Sequence, residues 1–529
     1  MIERCAGILV PLFSLHSAHD LGRGDFGGLA PLGEFALAMG HRLVQLLPID
    51  EVAAGETSPY SALSIFALDP IYISVALLPG IDRQSIEPAR VEFSGKERAG
   101  DQVRLRAVKD GLLKQSWLHF KKAGDRWLRD EFEEFVRANR GWLDDYTTFR
   151  MLKGRFGDER WENWPDELKR HQPAALADAR RGLSAEIELL EYGQFIAHQQ
   201  WWSAREHLRQ RGVIIGGDLS FSPARESVEV WAHQDLFDLT RSVGAPPDAF
   251  SPTGQRWGLP MPNWQQMRAD NFEFTRMRMR HARSLYDVVR IDHVVGLFRT
   301  YAYPTSDETG GGFDPLAEAA QRAQGSEILK VMLEEGGPMQ LIAEDLGVIP
   351  AFVRENLAAL GIPAYKVLRW EKVATTSSKN SGGGERVEHY INPADYPVVA
   401  MATTGTHDTE PLVEWWAEIG DDERRRLAAD LRINEQVDFT SAALQPAALD
   451  AILRAVYASP AELVITPLPD LFGWNVRINF PGIVSEANWT WRLPFKLERE
   501  IENAELRNRR AQIRVMCERT GRFARAASD

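Results

Sequence analysis

The sequence predicts an α/β protein built on a (β/α)8 TIM barrel with inserted, mostly helical subdomains. Three observations carry that expectation. Eight short, apolar, β-rich runs follow one another along the 529 residues, helix-length stretches separate them, and four of the runs close on a carboxylate. Continuous apolar strands suit a parallel sheet covered on both faces, and eight such strands suggest a closed barrel.

In chain order the runs are 7–9, 43–47, 213–215, 288–291, 341–343, 365–368, 399–403 and 463–466. About 160 residues lie between the second and third, far more than one crossover helix needs, so a mostly helical inserted subdomain is expected at about 75–205. Its end is patterned as a helix: Leu189, Tyr192, Phe195 and Ile196 recur at helical spacing, and Gly212 is a stop before the third strand. A smaller helical insertion is expected at about 410–460. The whole chain, 1–529, is then a single catalytic barrel. The Gly/Ser-rich segments 305–326 and 374–389 predict mobile surface loops.

Composition narrows the function. With 44% hydrophobic and 26% charged residues the chain is an ordinary globular protein, not a disordered or fibrous one. A net charge of −13 without a long basic run argues against nucleic acid or a membrane surface as partner. The two cysteines, Cys5 and Cys517, form no metal or redox pair, and the apolar stretch near the start is too short to span a bilayer, so a cytoplasmic protein without a signal peptide is expected. Phosphate loops, HExxH, GxSxG and zinc spacings are absent from the sequence, which predicts neither a cofactor nor a catalytic metal. Most of the 16 tryptophans are expected in the core, and some could serve as platforms for flat sugar rings.

The strand ends carry the chemistry. IIGGDL ends near Asp218, VVRIDH holds Arg290, Asp292 and His293, LIAEDL holds Glu344, and ATTGTHDT holds His407 and Asp408. In a (β/α)8 barrel the C-terminal strand ends open on one face, so these groups converge. Any one of them could equally cap the following helix, and Asp218 is expected to be mainly structural. Arg290 and Asp292 are two apart on one strand and face the same side, which places a fixed positive charge beside Asp292. Glu344 follows an apolar run, and burial raises a carboxyl pKa, as a proton donor requires. An ionised carboxylate beside a protonated one is the equipment for breaking a glycosidic bond. His407 and Asp408 would add a hydrogen-bond donor and a further anion for a cationic transition state.

These motifs resemble the 4-α-glucanotransferases (amylomaltase or disproportionating enzyme, glycoside hydrolase family 77, within the α-amylase-like group). The resemblance runs nearly end to end through GILVPLFSL, SPYSALSIFALDPIYIS, GDLSF, GAPPDAFSPTGQRWGLPMPNW, RIDHVVGLFRTY, IAEDLGVI, GTHDT and NFPGIVSEANWTWRLP. It implies Asp292 as nucleophile, Glu344 as general acid/base and Asp408 as transition-state stabiliser, partnered by Arg290 and His407. It implies Tyr60 as a sugar-stacking residue, Asp248, Phe250, Ser251 and Trp257 on a loop arching over bound glucan, and Asn479 in a C-terminal stretch on the acceptor side. Asp218 and His293 complete the expected substrate contacts. The implied reaction passes a segment of an α-1,4-glucan to the 4-hydroxyl of glucose or another glucan, through a covalent glycosyl-enzyme. The expected partners are therefore maltooligosaccharide donors and acceptors, and the expected state is a monomer or homodimer. Two segments depart from the family pattern: Ser220 and Ser222 stand where bulkier residues are common, and Val294, Val295 and Gly296 replace a usual FRG. An α-amylase-type hydrolase and a non-catalytic glucan-binding protein are the alternative readings.

Overall fold

The computed structural model describes residues 3–93, 102–123, 125–247, 254–306, 310–377, 385–433, 436–483 and 485–523. All eight runs form strands: β1 (Cys5–Leu9), β2 (Leu43–Gln45), β3 (Ile214–Leu219), β4 (Val288–Ile291), β5 (Gln340–Ala343), β6 (Ala364–Val367), β7 (Ala400–Thr403) and β8 (Leu463–Pro467). Neighbours pair in parallel and β8 returns to β1, closing the barrel. β1, β4, β7 and β8 are buried at every residue, because inward side chains fill the barrel while outward ones meet the helical layer. Gly217 on β3 shows how close that layer comes. A Cβ there would lie 2.4 Å from the ring of Tyr286, which stands edge-on to Trp201 at 5.6 Å.

Between β2 and β3 the chain forms a short hairpin of Asp50–Val52 with Ala62–Leu68, then a helical assembly that includes Arg83–Phe93, Gln102–Ala123, Arg126–Arg155 and Ser184–Gln210. The last two helices pack through Phe132 on Phe195 and Phe135 on His198. Gly212, at φ 72°, makes the left-handed stop that the sequence predicted before β3. A four-stranded antiparallel sheet outside the barrel joins Gly312–Asp314, Thr300–Pro304, Phe237–Ala245 and Gln255–Pro262. No helix among the described residues is long and apolar enough to cross a membrane.

Two loop expectations are corrected. Residues 318–326 begin the helix Glu318–Gly336, which buries Ile328, Leu329 and Met332; its polar first half looked loop-like because the apolar anchors come late. Lys372–Ser377 and Glu385–Tyr390 form a hairpin, their β-branched residues pairing in register despite the Gly/Ser run between them.

Gly217→Ala should force Tyr286 or β3 to shift, at a cost of about 1–3 kcal/mol. A lowered urea midpoint is the expected result, and an unchanged one would contradict the packing described.

Candidate active site

The barrel register sets the site. Asp218 on β3 lies opposite Arg290 on β4, and Arg290 lies opposite Ile342 on β5. The ladder continues past the strand ends: Asp292 donates its backbone N–H to Leu219, and Glu344 donates to Ile291. The carboxylates that follow are thereby fixed at the C-terminal rim.

Arg290 is the hub. Its Nη1 donates to both oxygens of Asp218, at 2.7 and 2.8 Å; its Nη2 lies 2.9 Å from Asp292 Oδ1 and 4.0 Å from Glu344 Oε2. The last two contacts share one nitrogen, so those two carboxyl oxygens are at most about 7 Å apart, the sum of the two legs. The Asp218 side chain is 0% exposed and Arg290 5%, against 26% for Asp292, 12% for Glu344 and 43% for Asp408. The ion pair therefore lies inside the barrel, and the other three carboxyls face outward from it.

Burial pushes the Glu344 carboxyl up to about 8, against the opposing pull of Arg290. His293 fixes the carboxyl from the backbone while also opposing its protonation. Its φ of 49° turns its N–H toward Glu344 Oε2, at 2.7 Å. The His293 imidazole, lowered to about 4 by burial, stands edge-on to Trp257 at 4.8 Å and to Phe221 at 5.6 Å. Trp257 reaches it from the strand Gln255–Pro262.

On the other side, the Tyr60 hydroxyl donates to Asp218 Oδ2 at 2.8 Å and lies 3.0 Å from His407 Nε2. Its single proton goes to Asp218, so His407 Nε2 carries the proton between Tyr60 and Asp408, whose Oδ2 is 3.2 Å away. The rings of Tyr60 and His407 stack at 5.4 Å. Asn479 Nδ2 donates to Asp408 Oδ1 at 2.6 Å. Burial works against ionisation of Asp408, but His407 and the Asn479 amide outweigh it and hold the carboxyl at about 2.

The structure thus brings Asp292, Glu344 and Asp408 together with Tyr60, Asp218, Trp257, Arg290, His293, His407 and Asn479. Asp248, Phe250 and Ser251 lie outside the described residues. Two further residues belong to the cluster. Trp489 packs on Tyr60 and His407 at 6.0 and 5.9 Å, and Tyr365 on β6 places its ring 5.9 Å from the Arg290 guanidinium. Only the inward register of β6 could have flagged Tyr365, and only the neighbouring Asn479 motif could have flagged Trp489.

A family model described as 4-alpha-glucanotransferase matches residues 10–498. The chain belongs to the 4-alpha-glucanotransferase family. The 4-alpha-glucanotransferase of Chlamydia pneumoniae is 31% identical over 508 residues, covering 93% of this chain and 92% of that protein. The one from Thermus thermophilus is also 31% identical over 508 residues, covering 92% and 93%. Among solved structures, an amylomaltase from Streptococcus agalactiae in complex with acarbose is similar at a TM-score of 0.81 and 25% identity, over 99% of this chain and 100% of that one. These matches extend through every segment that supplies the cluster, so this member of the 4-alpha-glucanotransferase family has its barrel rim and its C-terminal stretch within one shared architecture.

Asp218→Ala would leave Arg290 buried without its main partner and should destabilise the protein by about 3–5 kcal/mol. Asp292→Ala, at a partly exposed position, should cost much less. Equal losses in a chemical-unfolding comparison would contradict the assignment of Asp218 as the structural counter-ion.

Proposed function

We propose that the chain transfers a segment of an α-1,4-glucan to the 4-hydroxyl of glucose or of another α-1,4-glucan, by double displacement with retention. The observation that carries this reading is the split in acidity among carboxyls grouped around one arginine. Glu344 holds its proton to about pH 8, Asp408 gives its up at about 2, and Asp292 lies against Arg290.

In this reading Asp292 attacks the anomeric carbon while Glu344 protonates the departing sugar oxygen. Glu344 Oε2 already accepts from the His293 amide, so the acidic proton sits on Oε1. The two carboxyl oxygens that share Arg290 Nη2 lie within about 7 Å of each other, which accommodates the roughly 5–5.5 Å separation of retaining enzymes. Asp408, kept anionic by His407 and Asn479, offsets the positive charge that develops at the anomeric centre. The acceptor hydroxyl then loses its proton to Glu344 and attacks from the opposite side, which restores the α-linkage. Breaking and making equivalent bonds needs no outside energy source.

Favouring a sugar hydroxyl over water about a thousandfold requires about 4 kcal/mol of barrier difference. We assign that selectivity to acceptor contacts along the stretch that begins at Asn479 and to exclusion of water by the segment 245–260, which carries Asp248, Phe250, Ser251 and Trp257, and substrate stacking to Tyr60. Both cysteines are free and buried, which suits a reducing cytoplasm.

With maltotriose, glucose and longer oligomers should form while the number of reducing ends stays constant; rising reducing ends would mean hydrolysis, and no change would mean binding alone. Asp292→Asn should lose turnover by at least about a thousandfold while retaining glucan binding. The acid must be protonated in the free enzyme, so kcat/KM should fall as pH rises through about 8. A profile flat to pH 10 would remove Glu344 from the acid role.

A further inference from the structure

The loop after β7 carries His407 and Asp408, and one buried arginine fastens it at both ends. Arg369, just past β6, has a side chain only 2% exposed. Its Nε donates to the Thr404 carbonyl at 3.0 Å, and its Nη1 donates at 2.8 Å to both the carbonyl and Oε1 of Glu410. The guanidinium lies close against the loop between these points. A Cβ at Gly405 would stand 3.0 Å from Arg369 Nη2 and 2.5 Å from Thr409 Oγ1. The buried Asp470, on the short helix Leu468–Phe472 that follows β8, adds a second hold: it accepts from Thr404 Oγ1 at 2.5 Å and from the Leu412 N–H at 2.7 Å.

Glu410 carries this hold a step farther. Its Oε2 lies 3.9 Å from Arg477 Nη2, and Arg477 Nε donates to the Asn479 carbonyl at 3.2 Å. Asn479 is the residue whose amide donates to Asp408 Oδ1. The contacts therefore close a ring: from Asp408 along the backbone to Glu410, across to Arg477, and back through Asn479 to Asp408. Both partners of the Asp408–Asn479 hydrogen bond are tied to one carboxylate, and a misplacement of about 1 Å in such a group can cost about a hundredfold in rate.

We propose that Glu410 is a positioning residue for Asp408: by joining Arg369 to Arg477 it fixes Asp408 and Asn479 relative to each other, and so sets where the stabilising anion stands. The inference rests on the function proposed above only for the catalytic part given to Asp408.

The Glu410 side chain is 23% exposed, and its removal leaves Arg369 both carbonyls and the neighbouring Asp470, so Glu410→Ala should fold. With α-maltosyl fluoride as donor, whose fluoride leaves without a proton, Glu410→Ala should lower kcat about thirtyfold to a hundredfold and keep KM within about threefold. In an Asp408→Asn background the same substitution should cost no more than about twofold, because the group it positions is already gone. An equal loss in both backgrounds would mark a merely structural role and overturn the proposal, as would an unchanged kcat. In crystals of Glu410→Ala, Asn479 Nδ2 should stand beyond about 3.5 Å from Asp408; a bond kept at 2.6 Å would overturn it. A parent enzyme inert toward maltotriose and the fluoride would instead refute the transferase reading, and the crystals would still decide whether Glu410 holds Asn479 on Asp408.

Discussion

A guanidinium buried inside a parallel barrel is the constraint on which the site depends. Arg290 cannot remain there unmatched, because burying an unpaired charge costs several kcal/mol. Asp218 meets it with both oxygens on one nitrogen and is held in turn by the Tyr60 hydroxyl. The other nitrogen is left to reach unequally toward two carboxyls, 2.9 Å to Asp292 and 4.0 Å to Glu344. That inequality, together with the deeper burial of Glu344, is a physical cause for two neighbouring carboxyls to take different roles.

The surroundings extend the same division. On one side, the left-handed turn at His293 spends a backbone N–H on one Glu344 oxygen, and the imidazole is gripped by aromatic rings. On the other, Tyr60, His407 and Trp489 form an aromatic cluster whose hydrogen bonds end on Asp408. Burial keeps the proton on Glu344 against the pull of Arg290 and of the His293 amide, whereas His407 and the Asn479 amide keep Asp408 an anion.

Much of this was legible in the sequence because the barrel buries its strands on both faces. Short apolar runs then mark strands without ambiguity of face, and a carboxylate at the end of a run marks the rim. Arg290, Asp292, Glu344 and Asp408 could be found that way; the spacing of Arg290 and Asp292 and the apolar run before Glu344 also indicated which carboxyl is ionised and which protonated, and the family resemblance then implied the individual roles. Tyr365 stayed hidden because an aromatic on an inward strand face looks the same as core filling, and Trp489 was marked only as part of the stretch that begins at Asn479. The left-handed turn at His293 left no trace either, since no glycine marks it. The segment 318–326 misled for the opposite reason: its polar composition concealed a helix anchored farther along, at Ile328 and Met332.

Trapping the covalent intermediate tests the central claim most directly. The protein would be incubated with 5-fluoro-α-glucosyl fluoride, digested and analysed by mass spectrometry. A glucosyl adduct on the peptide that contains Asp292, absent in Asp292→Asn, is the expected result. An adduct on Asp218, Glu344 or Asp408 would contradict the division of labour around Arg290, as would full turnover with no adduct at all.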